Sequence, residues 1–267
     1  MPCAVAEPAA LGAKIVSVFR GNPARGLPTV TSIYVLSDYT TGAPLALMDG
    51  GYLTGIRTAA GSAVATRELA LPDARTLGVF GTGVQARFHV ETIRRVRNLE
   101  RVLVSATSPE KARDFARWVS EATGLVAAPA AAEEVSGADI VAACTTSPTP
   151  VVMDAAVKPG AHINAVGAFT PTTRELPSEL VRRAAVFVDT RAGALSEAGD
   201  LLLAGLDTVR GELGELLLGT APGRSSTDEI TVYKSVGAAF LDAATARLAF
   251  DQAGNQAVGT VYEFDTM

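Results

Sequence analysis

Residues 76–86 read Thr-Leu-Gly-Val-Phe-Gly-Thr-Gly-Val-Gln-Ala, a short apolar strand that runs through a glycine turn into a helix. No other stretch restricts the architecture as strongly. Gly81 permits the tight turn, and Gly83 lets the backbone approach a pyrophosphate without a Cβ in the way. Ala86 is small enough for the new helix to pack on the strand, whose end then faces that helix's unpaired N–H groups. G-x-G-x-x-A by itself is a weak signature, and a ligand-free glycine turn is the bland alternative. Here it follows a clear strand (Leu77, Val79, Phe80) and precedes a helix whose apolar side is expected at Val84, Phe88, Ile93 and Val96, which is the context dinucleotide binding requires.

The chain has 267 residues, 48% hydrophobic and 19% charged, with a mean hydropathy of +0.25. That composition suits a large buried core and excludes disorder. Net charge is −5, so there is no nucleic-acid footprint. Arg94, Arg95 and Arg97 are expected to form one solvated helix face. Two cysteines, Cys3 and Cys144, and two histidines, His89 and His162, provide no metal-ligand spacing, so no metal is expected. The cysteine usage fits a reducing, cytoplasmic compartment. No apolar run reaches membrane-spanning length, and Glu7 and Lys14 interrupt any signal-peptide pattern.

Residues 14–20, 28–36 and 44–48 read as antiparallel strands separated by turn-rich segments. From Leu53 to Leu71 the pattern turns helical and alanine-rich, and Pro72 ends it. Strands and helices then alternate: strand 76–80 with helix 84–97, strand 101–105 with helix 109–122, then strands at 125–128, 139–143, 162–166 and 185–189. This alternation signals a doubly wound parallel sheet. A strand-like entry at 230–233 precedes an alanine-rich helix that reaches residue 250. The expected class is therefore α/β: a Rossmann-type sheet over residues 59–237, with a smaller antiparallel domain from residues 1–58 plus 238–267.

The second parallel strand ends Val104-Ser105-Ala106-Thr107-Ser108, where an NAD-preferring site carries a carboxylate for the ribose 2′-hydroxyl. Ser105 and Thr107 can instead hydrogen-bond a 2′-phosphate, so the expectation is NADP(H), with NAD(H) as the alternative. Lys111 is a further phosphate partner to consider. Later strand ends, Cys144-Thr145-Thr146 and Val166-Gly167-Ala168, supply small residues beside a ligand.

Several motifs occur in order along the chain. Lys14-Ile15-Val16-Ser17 precedes Gly26-Leu27-Pro28-Thr29-Val30, and Leu53-Thr54-Gly55-Ile56-Arg57-Thr58-Ala59-Ala60 comes before the glycine loop. Pro159-Gly160-Ala161-His162-Ile163-Asn164-Ala165-Val166-Gly167, Arg174-Glu175-Leu176, Glu197-Ala198-Gly199-Asp200 and Lys234-Ser235-Val236-Gly237 follow it. Together they resemble the ornithine cyclodeaminase/mu-crystallin family over essentially the whole chain. The resemblance implies a nicotinamide-dependent enzyme of α-amino or α-imino acids, with a substrate domain that also forms a homodimer. It implies that Lys14 and Arg57 hold the substrate carboxylate, a role suited to a planar guanidinium. It also implies that Arg57 lies close to the cofactor, and with the glycine turn and the strand ends the expected cofactor side is Arg57, Thr58, Gly81, Thr82, Gly83, Val84, Gln85, Ser105, Thr107, Thr145, Thr146, Val166, Gly167, Ser235 and Gly237.

Two departures qualify the resemblance. Cyclodeaminases and alanine-dehydrogenase-like members have an aspartate where this chain has Phe169, which cannot transfer a proton. Longer relatives also carry further strands and another carboxylate-binding arginine before the position of Met1, so the substrate domain is expected to be N-terminally shortened. These readings favour reduction of a small cyclic or open α-imino acid. A cyclodeaminase or alanine-type dehydrogenase, with Asp200 replacing the missing acid, is the alternative. A non-catalytic ligand-binding protein is the third reading. His89 and His162 are expected to be structural, Trp118 to pair with Phe115 in a core, and Glu197 to end a helix or line the site.

Overall fold

The computed structural model describes residues 1–19 and 21–262; Arg20, the last position of the first expected strand, and residues 263–267 lie outside them. The chain divides into two compact units, Met1–Arg57 with Ala239–Met267, and Thr58–Ala238.

The first unit is an antiparallel sheet in sequence order: β1 (Pro2–Val5), β2 (Ala10–Val18), β3 (Val30–Ser37) and β4 (Pro44–Asp49). Lys14 on β2 pairs with Tyr34 on β3, and Ile15 with Ile33. Because side chains alternate along a strand, the first pair lies on the face opposite the second. Lys14 and Tyr34 are buried, whereas Ile15 and Ile33 are exposed. On the buried side Ala10, Tyr34, Leu36 and Leu53 pack with Ala243 and Ala246 of the C-terminal helix Ala239–Gln256. Helix α1 (Gly50–Leu69) starts three residues earlier than the sequence pattern indicates, because Asp49 Oδ1 accepts from Gly51 N and Tyr52 N at 2.8 and 3.2 Å. β1 was not anticipated. Pro2-Cys3-Ala4-Val5 is too short to display a period of two, and it is recruited by pairing with β2.

The second unit is built on an eight-stranded parallel sheet: β5 (Thr76–Phe80), β6 (Arg101–Ser105), β7 (Val126–Pro129), β8 (Ile140–Ala143), β9 (His162–Ala165), β10 (Ala185–Val188), β11 (Gly211–Glu212) and β12 (Thr231–Lys234). The spatial order is β11-β10-β12-β9-β8-β5-β6-β7. Strands β8, β9, β10 and β12 are buried at every residue, as apolar runs covered on both faces should be. Leu77, Val79, Ile140 and Ala142 belong to one apolar cluster, while Phe80, Val141 and Ala143 belong to another, in keeping with alternating side chains. The expected strands between 76 and 189 are present to within a residue at each end.

Helix α2 (Val84–Ile93) ends before the basic residues, and residues 94–96 form a turn. Arg97 is not part of a solvated helix face. Its guanidinium donates to the carbonyls of Arg67, Ala70 and Leu71 at 2.9, 2.7 and 3.1 Å, satisfying the C-terminal end of α1. The buried side of α2 is Ala86, His89, Val90 and Ile93; Val84, expected on that side, is 60% exposed. His89 bonds Gln85 O and Ser62 Oγ, and His162 bonds Thr231 Oγ1, so both are interior structural groups. Trp118 of helix α3 (Pro109–Thr123) packs against Phe115, with ring centroids 5.4 Å apart and planes tilted by 41°. Among the described residues no helix is long and apolar enough to cross a membrane, and no cluster of His, Cys, Asp or Glu could hold a metal ion.

Candidate active site

In the parallel unit the chain leaves β5 for β6 and β7, then returns to place β8 on β5's other side. The carboxyl ends of β5 and β8 therefore mark the topological switch point where such sheets bind dinucleotides. Gly81 follows β5 with φ +97°, donating its N–H to Ser105 O, and a Cβ there would lie 2.6 Å from Cys144 O. No other residue meets both demands. Gly83 is the N-cap of α2, carries no side-chain cap, and would direct a Cβ into open space. An uncapped helix N-terminus beside an unobstructed glycine fits a phosphate group. Thr82 and Gln85 are half-buried at this turn, and Val84 is exposed.

The remaining cofactor-side residues of this unit fall at other strand ends. Ser105 closes β6, Thr107 is exposed, and Ser108 rather than Ser105 or Thr107 caps α3 by accepting from Lys111 N. Lys111 itself is exposed. Thr145 and Thr146 follow β8, Val166 and Gly167 follow β9, and Ser235 and Gly237 follow β12. Thr58 is buried on α1.

The antiparallel unit contains a buried charge cluster of three residues. Lys14 Nζ lies 2.6 Å from Asp242 Oδ2, and Arg57 Nε lies 3.0 Å from Asp242 Oδ1. Lys14 also donates to Thr54 Oγ1 at 3.1 Å, which in turn donates to Gly50 O. All three charged side chains are at most 7% exposed. Strand β2 supplies the lysine, α1 the arginine and the C-terminal helix the carboxylate. Burial pushes the Lys14 ammonium below its ordinary value; Asp242 opposes that shift and Arg57 reinforces it. Next to the cluster, Tyr34 is buried with an unpartnered hydroxyl, and burial with the Asp242 charge pushes its pKa up to about 12. Two cations against one carboxylate leave a surplus positive charge, which suits a bound carboxylate.

Sequence reasoning selected Lys14 and Arg57 but missed Asp242, a lone acid in an alanine-rich helix. The available signal was chemical: two buried cations require a counter-charge. Asp200, weighed as a substitute acid, is 1% exposed within the parallel unit. Its Oδ1 accepts from Glu175 N and Leu176 N at 2.7 and 2.8 Å, and its Oδ2 lies 2.8 Å from Lys234 Nζ. Glu197 is exposed, and Phe169, on the loop after β9, is 42% exposed.

The family model of the ornithine cyclodeaminase/mu-crystallin family matches residues 1–257. The chain is 42% identical to a Delta(1)-pyrroline-2-carboxylate reductase of Bacillus cereus, across 99% of this chain and 84% of that protein. It is 39% identical to the ketimine reductase mu-crystallin of Mus musculus, across 94% of this chain and 79% of that protein. The solved structure of Thermococcus litoralis Delta(1)-pyrroline-2-carboxylate reductase with NADH and L-proline superposes with a TM-score of 0.95 at 39% identity, covering 98% of this chain and 84% of that one. An archaeal alanine dehydrogenase dimer with bound NAD gives a TM-score of 0.90 at 35% identity, covering 96% and 81%. Matched from one unit to the other by model, by sequence and by fold, the chain belongs to the ornithine cyclodeaminase/mu-crystallin family.

Proposed function

We propose that the protein is a nicotinamide-dependent reductase of small α-imino acids, acting on cyclic substrates such as pyrroline- or piperideine-2-carboxylate. The observation that carries this reading is the buried Lys14–Asp242–Arg57 cluster with its surplus positive charge, in a chain that also has a dinucleotide-type glycine turn. The similarity to pyrroline-2-carboxylate and ketimine reductases supports it.

A dihydronicotinamide cofactor held through the Gly81–Gln85 turn would supply a hydride for the C=N carbon, and the nitrogen of an iminium substrate would keep its own proton. Arg57 and Lys14 fix the carboxylate, and with it the orientation of the attached C=N group. Orientation and a fixed positive field are the chain's contributions to rate. Phe169 offers no proton, and a pre-protonated imine needs none from it. The cyclodeaminase reading is the less favoured one, because Asp200 Oδ1 is held by two backbone N–H groups and Oδ2 is ion-paired with Lys234. Asp200 is better assigned to positioning. The test is oxidation of NADH and NADPH with each cyclic imine; no turnover above background with either cofactor refutes the proposal.

The cofactor is NAD(H) or NADP(H), and we favour NADP(H) because the end of β6 carries Ser105 and Thr107 and no carboxylate. A higher kcat/KM for NADPH than for NADH supports that preference, and the reverse order overturns it. The protein also reads as a homodimer through the open face of the antiparallel sheet, where Ile15, Ile33 and Leu47 are 62, 49 and 74% exposed. Ile15→Lys with Leu47→Lys is expected to convert a dimer to monomer in light scattering. Cys3 and Cys144 are free thiols, in keeping with a cytoplasmic protein.

A further inference from the structure

Four strand ends at the carboxyl edge of the parallel sheet are tied in pairs by two buried carboxylates that the proposed chemistry does not use. Glu175, fully buried, accepts from Thr145 N and Thr145 Oγ1 after β8, at 2.6 and 2.8 Å, and from Gly167 N after β9 at 2.6 Å. Asp189, at the end of β10, accepts from Ser235 Oγ, Val236 N and Gly237 N after β12 at 2.9, 3.0 and 2.6 Å, and from Thr190 N at 2.9 Å. The first pair is packed to backbone contact: a Cβ on Gly167 would sit 2.1 Å from Thr145 O. Lys234, with no exposed surface, donates to Ala168 O and pairs with Asp200, which holds the Glu175 and Leu176 amides.

Burying carboxylates is costly, several kcal/mol per ion before any partner is found. Strand-end N–H groups at an open edge could instead be left to water. Here they are collected by carboxylates on the β8–β9–β12 side of the switch point. In a doubly wound sheet the glycine turn after the first strand takes the pyrophosphate, and the second mononucleotide lies across the later strands.

We propose that Glu175 and Asp189 are positioning residues for the nicotinamide half of the cofactor, each locking two strand-end loops in the geometry that half requires. The inference rests on the cofactor reading above. It assigns the adenine half to the Gly81–Gln85 turn, which neither carboxylate touches.

The experiment measures the affinities of the full-length protein for NADH and for ADP-ribose, which lacks the nicotinamide, in Glu175→Gln and Asp189→Asn. NADH affinity is expected to fall about tenfold in each, the equivalent of about 1.4 kcal/mol, with ADP-ribose affinity unchanged. Asp139 is the control: it ties Arg75 N and Thr76 N at the opposite edge. Asp139→Asn is expected to leave the ratio of the two affinities at its parental value. Equal losses for both ligands, or no loss of NADH affinity, overturn the proposal. Should the charge-removing variants fail to fold, Thr145→Val deletes one donor to Glu175 and no charge, and the same ratio decides. Parental protein that binds none of NADH, NADPH and ADP-ribose refutes the cofactor reading; binding without imine turnover refutes only the substrate.

Discussion

Asp242→Asn tests the buried cluster most directly. The substitution keeps the shape of the side chain and removes the carboxylate between two cations that are 3 and 7% exposed. Removing one partner of a buried pair costs about 3–5 kcal/mol, because the uncompensated charge remains buried. Against a total stability of about 5–15 kcal/mol this is a severe loss. At about 2–4 °C per kcal/mol for a chain of this size, the thermal midpoint should drop by roughly 10 °C. The deficit should also depend on pH, with a definite sign. Lys14 is already held below its unfolded value of 10.5 by burial, and Asp242 is the group that opposes the shift. Without it the folded value falls further. Between that lowered value and 10.5 the unfolded chain binds more protons than the native one, so stability rises with pH. The variant should therefore regain part of its deficit as pH is raised from neutral towards 10. Urea titrations followed by circular dichroism at several pH values measure both effects. A variant within about 1 kcal/mol of the parent at pH 7, or a deficit that does not shrink with rising pH, refutes the account of a site held together by its counter-ion.

Three further outcomes are expected. Arg57→Lys keeps the charge but loses the planar fork, and kcat/KM for a cyclic imino acid should fall ~10–100-fold, the worth of one charge-assisted hydrogen bond; an unchanged value separates Arg57 from the carboxylate. Gly83→Val should weaken ADP-ribose binding with little change in thermal midpoint, since its side chain enters open space, whereas Gly81→Val should lower both, given its φ of +97° and the Cys144 carbonyl at 2.6 Å. His89 and His162 are depressed to about 4 and about 3 by burial, so the unfolded chain takes up protons that the native state refuses. The contribution of these two histidines to stability should be flat above pH 6.5 and fall by several kcal/mol as pH drops from 6.5 towards 3. Denaturation midpoints in His89→Gln, His162→Gln protein should show a shallower acid limb.

The parallel sheet was legible because fully buried strands write themselves as apolar runs between glycine and proline breaks. The glycine turn was legible because backbone geometry and phosphate access both require small residues at fixed spacing. Local end effects were not. The Arg94–Arg97 stretch has ordinary helix propensity, yet the helix stops at Ile93, and Arg97 serves the end of a different helix. At the site, Lys14 and Arg57 were found through resemblance. Asp242, Glu175 and Asp189 had no assigned role, because a carboxylate reads as solvated until its partners are known. Those partners are distant in sequence: Arg57 and Asp242 are 185 residues apart.

That separation has a consequence for how the protein is made. Lys14 and Arg57 leave the ribosome early, but their counter-charge is translated only after the whole parallel-sheet unit. Until then, strands β2 and β3 lack both the alanine face that covers them and the carboxylate that neutralises them. The antiparallel unit is thus a late-closing circuit of high contact order, and folding should slow at its closure. The Lys14–Arg57 pair acquires its counter-charge only when the helix Ala239–Gln256 has docked, so a chain stalled before Asp242 carries two exposed cations and no assembled cluster.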